Sequence, residues 1–188
     1  MEPMEELQSE KMRKMTIDIV KLSKTMNLLA LLILVVGIVP FYFIWPNGGH
    51  ALKSVFTSFT FILLTLAVIV GLAVHELIHG ITWACVAEHG FRSICFGINP
   101  KQFMIYCHCS DPLKIRHYVI GALMPCFLLG VIPVIVAYCI GNAALLIFGA
   151  LFIVLALGDI LIVWTIRNEN PNCKVLDHPS EPGCYIID

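Results

Sequence analysis

His75, Glu76 and His79 stand in the run AVHELIHGI, residues 73–81, whose other members are all apolar or glycine. On an α-helix, residues four apart lie one turn apart on a single face, so both imidazoles can reach one zinc ion. Glu76, beside the first histidine, is then close enough to handle a proton of an attacking water. The pattern H-E-x-x-H is therefore one that zinc hydrolases use. A catalytic zinc takes three protein ligands as a rule and keeps a position for water. The third ligand expected here is Asp159, in LALGDILIV, the only charged residue between Tyr118 and Ile166.

These groups lie in surroundings that make them expensive. The chain has 188 residues, 59% of them hydrophobic and 13% charged, with a mean hydropathy of +0.86. That composition excludes an ordinary soluble domain and points to an integral membrane protein. A charged side chain at the centre of a spanning helix costs about 2.5–3.5 kcal/mol on insertion scales. Divalent-cation ligation offsets part of this cost, because the ion turns buried carboxylate and imidazole groups into partners. The formal net charge of -1 does not point to a nucleic-acid partner, and none is expected.

Four segments are long and apolar enough to cross a hydrocarbon core of about 30 Å: residues 26–45, 58–87, 118–140 and 143–166. The last two are joined only by Gly141 and Asn142, so they run antiparallel. At about 1.5 Å per residue, Asp159 lies about 25 Å in from that turn, and His75 and His79 about 25–31 Å in from Ser58. The three ligands are thus expected at one level, in the cytosolic third of the bilayer. Gly71, Gly80, Ala156 and Gly158 are small enough to let the second and fourth spans touch. Pro125 and Pro133 are expected to bend the third span and open a path for water or substrate.

Eleven of the twelve Lys and Arg residues fall on one side of this arrangement, the exception being Lys53. The positive-inside rule then puts both termini, the loop 88–117 and the tail 167–188 in the cytosol. No cleavable secretory signal is read in the first span, which is taken as a retained anchor. Ahead of it, Met12, Met15, Ile19, Leu22 and Met26 recur at helical spacing among lysines. Residues 1–25 therefore read as a basic amphipathic helix on the inner membrane surface, or as a solvated helix whose charges set topology. Residues 26–188 read as one membrane domain. Its eight cysteines are expected to be reduced thiols.

In the loop, RSICFGINPKQFMIYCHCS carries β-branched and aromatic residues on both sides of Asn99-Pro100-Lys101-Gln102, a hairpin signal. A hairpin close to the zinc would offer a strand edge to a substrate unwound from its own helix. Asn99 and His117 are candidates to stabilise an oxyanion. Cys107 and Cys109 share one strand face and could hold a second metal ion, with Cys173, His178 or Cys184 as further ligands, although the spacing is not that of a structural zinc site.

HELIHGITW, FGINPKQF, YCHCSDPLKIRHYVIGALMPCFLLGVIP, ALGDILIVW and DHPSEPGCY resemble the bacterial putative zincin peptidase family, and the general layout resembles the site-2 class of intramembrane zinc proteases. The resemblance covers most of residues 72–185. It implies His75, His79 and Asp159 as zinc ligands, Glu76 as catalytic acid and base, and a home in the bacterial inner membrane. One departure is that the acid is followed by Ile160, where site-2 proteases usually carry glycine. The expectation is an all-α, four-helix membrane protein with a short cytosolic β-hairpin between the second and third spans. Its activity would be zinc-dependent hydrolysis of membrane-anchored protein substrates near the cytosolic face, or, as the alternative, it would be a zinc-binding or inactive membrane scaffold or regulatory protein without protease activity.

Overall fold

The computed structural model describes residues 12–99, 104–178 and 182–187. In chain order the elements are β1 (Met12–Thr16), α1 (Ile19–Ile44), α2 (Gly48–Val55), α3 (Ser58–Ala84), β2 (Ile94–Asn99), β3 (Met104–Cys109), β4 (Leu113–Lys114) and α4 (Ile115–Pro125). There follow a π-helical turn at Cys126–Val131, then α5 (Ile132–Ile140), α6 (Ala143–Leu155), α7 (Leu157–Ile166), β5 (Lys174–Asp177) and β6 (Gly183–Ile187). By contacts the chain forms two compact units. One contains Ile19–His75 and Met124–Leu157, the other Met1–Asp18, Glu76–Leu123 and Gly158–Asp188.

The first unit is helical and almost without charge. Phe41, Val55, Ala137, Ala143 and Leu146 form its core. Glycine lets helices approach closely here: a Cβ on Gly149 would lie 2.7 Å from the Gly130 carbonyl oxygen, and one on Gly71 would overlap the Phe152 ring. The Tyr138 hydroxyl donates to the Gly37 carbonyl at 2.6 Å, so its polar end is satisfied among apolar neighbours. The turn between α5 and α6 is built from Gly141, at φ 71°, and Asn142, whose side-chain oxygen accepts the Leu145 N–H at 3.0 Å and caps α6.

The second unit carries both sheets. β2 and β3 pair antiparallel from Ile94 opposite Cys109 to Asn99 opposite Met104. Asp111 anchors the open end of this ladder, accepting from the Ser93 hydroxyl, the His89 backbone N–H and the His89 ring. The larger sheet has the order β1-β6-β5-β4. It draws its strands from before α1, from ahead of α4 and from after α7, and it packs Val175, Cys184 and Ile186 against Trp83, Tyr118, Ala122 and Ile166. Arg13 in β1 also forms an ion pair with Glu169 at 2.6 Å.

The chain is therefore mostly helical with small antiparallel sheets, and not all-α. Met12–Thr16 is a strand where the methionine spacing predicts a helix, because β6 supplies hydrogen-bond partners along its whole length, from Met12 opposite Ile187 to Thr16 opposite Gly183. The expected N-terminal helix over residues 1–11 lies outside the described residues. Among the described residues three helices are long and apolar enough to cross a membrane: Leu22–Ile44, Phe59–Ala84 and Ile115–Ile140. The expected fourth span is broken. Ala143–Leu155 and Leu157–Ile166 form a pair bent by 40°, which places Asp159 in the first turn of a new helix, where the helix dipole favours a carboxylate. Only 6% and 11% of the apolar windows in the first two spans are buried within the chain, so the rest needs an apolar surrounding, which lipid provides.

Candidate metal centre

α3 is an unbroken helix, and His75 and His79 follow one another on it at a single turn. Both are buried, at 6% and 4% exposure, whereas Glu76 is half-buried. The His75 ring stacks on Phe152 with centroids 6.3 Å apart. Asp159 in α7 brings its Oδ2 to 3.6 Å from His79 Nε2. One ligand atom from each of His75, His79 and Asp159 falls in a group whose members all lie within 4.8 Å of one another. Among the described residues no other group of three or more metal-ligating side chains meets that distance.

The protonation pattern of His79 tests whether these residues fit a metal. Its Nδ1 lies 2.9 Å from the backbone carbonyl of Gly121 in α4. A carbonyl can only accept, so Nδ1 carries the hydrogen and donates it. Nε2 faces the Asp159 carboxylate at 3.6 Å. A proton on Nε2, giving an imidazolium–carboxylate pair, satisfies that contact, and so does a metal ion bound by both groups. Ligands of a tetrahedral zinc at about 2.0–2.2 Å lie about 3.3 Å apart, close to the observed Nε2 to Oδ2 separation. Two imidazoles and a carboxylate, one imidazole oriented through its second nitrogen, form a donor set that fits zinc.

An aromatic column supports this ligand from behind. The His79 ring stacks on Trp83 at 5.1 Å with planes 18° apart, and Trp83 stacks on Tyr118 at 5.4 Å and 10°. The Trp83 indole N–H donates to the Tyr118 carbonyl at 3.2 Å. The Tyr118 hydroxyl in turn donates to Asp177 of β5 at 2.9 Å, and His108 Nδ1 lies 3.5 Å from the other oxygen of that carboxylate. The C-terminal sheet is thereby tied to a candidate metal ligand through side chains that sequence reasoning did not single out. Gly80 makes room for β2 in the same unit, since a Cβ there would overlap the Phe96 ring.

The weaker sequence candidates fare differently. Asn99 has its backbone in β2, but its side chain lies outside the described residues. His117 lies one turn before Gly121 on α4, and among the described residues no hydrogen bond or ion pair joins it to His79 or Asp159. Cys107 and Cys109 share a face of β3, but among the described residues they gain no third ligand within the distance that unites the histidines and Asp159. Burial, then the negative charges of Glu76 and Asp177, push the Cys107 thiol well above its usual range. Burial raises Cys109 to about 11 and Cys184 to about 12, so both are neutral thiols at physiological pH.

Fold and site together define a mostly helical protein with helices long and apolar enough to cross a membrane and a cluster of two buried histidines with a half-buried aspartate. A family model described as putative zincin peptidase matches residues 68–174, more than half of the chain, and the chain belongs to that family. The matched range contains His75, Glu76, His79, Gly121 and Asp159. No curated protein and no solved structure matches the chain.

Proposed function

We propose that this chain is a zinc-dependent intramembrane endopeptidase of the site-2 kind, cutting membrane-anchored proteins near their cytosolic end. The observation that carries the reading is the convergence of His75, His79 and Asp159 beside Glu76 in apolar helices. Zinc bound there would supply Lewis-acid polarisation of the scissile carbonyl and a water of lowered pKa. Glu76 takes the proton of the attacking water and delivers it to the departing amine. The Gly121 carbonyl holds the His79 ring in the tautomer that leaves Nε2 unprotonated, and Trp83 covers one ring face against water. A substrate segment unwound from its helix would add as a strand to an edge of the β2 and β3 ladder, exposing peptide groups that a helix keeps shielded.

The larger sheet supports four crossings. Strands bonded in one sheet lie on one side of a membrane, so the chain between any two of them crosses an even number of times. Between β4 and β5 lie Ile115–Ile140 and the bent pair, and the count is even when both cross. Between β1 and β4 lie Leu22–Ile44 and Phe59–Ala84, again two. The excess of Lys and Arg on the sheet side supports a cytosolic placement of that side.

Glu76→Gln tests the chemistry. Membranes from cells carrying wild type should contain protein termini that are absent when only Glu76→Gln is present, and the purified variant should retain zinc with cleavage reduced by about 10²–10⁴-fold. A variant that keeps both zinc and the new termini would instead mark a zinc-binding scaffold.

A further inference from the structure

The bond from His79 Nδ1 to Gly121 raises a question that the donor set does not answer. A backbone carbonyl inside an α-helix normally accepts the N–H four residues later, which leaves it poorly placed to serve a side chain on another helix. For Gly121 that residue is Pro125, the last of α4, and proline has no N–H. The regular helical partner of this carbonyl is thus missing from the sequence itself. Among carbonyls of α4 Gly121 is distinguished in this way because Pro125 is the only proline in that helix. The same position is glycine for a second reason, since a Cβ there would overlap the Trp83 indole that stacks on His79.

We propose that Gly121 and Pro125 are a paired positioning device for the metal ligand. Pro125 withholds the helical donor from the Gly121 carbonyl, and that carbonyl fixes the tautomer and rotation of His79, while the missing Gly121 side chain leaves room for Trp83. The spacing G-x-x-x-P in GALMP, which by itself reads as a helix kink, becomes an instruction to leave one acceptor facing the site. Neither residue touches substrate or ion, so both act through His79. The proposal rests on the metallopeptidase reading for its purpose and on the hydrogen bond for its geometry.

Pro125→Ala tests it, because this change restores a backbone N–H at that position and removes a helix-breaking ring. A purely structural proline would be replaced with unchanged zinc affinity. The expected result, by competition with a chromophoric chelator on the full chain in detergent, is zinc binding weakened tenfold to a hundredfold, with thermal stability equal to or above wild type. Incorporating lactic acid at position 125 deletes the N–H again without the ring, and zinc affinity should recover. Unchanged affinity in Pro125→Ala, or no recovery with lactic acid, would overturn the proposal. A measurement on wild type needs no variant: dipolar recoupling between ¹⁵N-histidine and carbonyl-¹³C-glycine in metal-free protein should detect His79 Nδ1 against the Gly121 carbonyl. Absence of that signal refutes the device even if zinc binds. Its presence in a wild-type protein that binds no zinc would uphold the geometry and remove the metallopeptidase reading instead.

Discussion

Asp159 decides whether the two histidines form a centre or merely a polar pair. Its carboxylate is the negative group that faces His79 Nε2 and completes the set of three donors. Asp159→Asn keeps its size and removes its charge, so purified protein should lose most of its zinc by elemental analysis, whereas full occupancy would disqualify Asp159 as a ligand. The His75, Glu76 and His79 pattern was legible in the sequence because helical spacing is local and three ionisable groups among apolar neighbours are hard to explain otherwise. The supporting shell was not. A backbone carbonyl such as that of Gly121 has no residue-type signature, and Trp83 and Tyr118 read as ordinary core aromatics until their stacking on His79 is seen.

Among the elements, the long apolar helices were legible and the short strands largely were not. Strand β4 has two residues and β5 four, and their partners come from distant parts of the chain, so no local period announces the sheet. The break between α6 and α7 was likewise hidden, since its surroundings are uniformly apolar, yet it gives Asp159 the first turn of a helix. The anchor at the open end of the β2 and β3 ladder yields a prediction with a definite pH sign. Burial tends to raise the Asp111 carboxyl, but hydrogen bonds from Ser93 and His89 outweigh it and hold the group below its ordinary 3.8. Its stabilising contribution is therefore complete above that value and is lost as pH falls through the lower folded-state value. Asp111→Ala should destabilise the protein by about 1–3 kcal/mol near neutral pH in thermal or denaturant unfolding, and the gap from wild type should narrow in acid. A gap that widened on acidification would contradict the anchor.

For the whole molecule, composition alone indicated a membrane protein, and the three helices long and apolar enough to cross one followed from lengths of apolar sequence. The parity of crossings did not, because it depends on which distant strands share a sheet. Reporter domains fused before β1 and after β6 should both be protected from protease added outside intact cells, and a fusion between α1 and α3 should be cleaved. Opposite fates for the two terminal fusions would rule out a shared sheet in the membrane-inserted protein.

The pairing of β1 with β6 also bears on how the protein is made. Met12–Thr16 is synthesised ahead of the long apolar helices, but its hydrogen-bonding partner, Gly183–Ile187, is synthesised only after them. During that interval the first strand has an open edge, and the aromatic column behind His79 lacks Asp177. Completion of the scaffold around the candidate centre is thus deferred until all the long apolar helices have been synthesised.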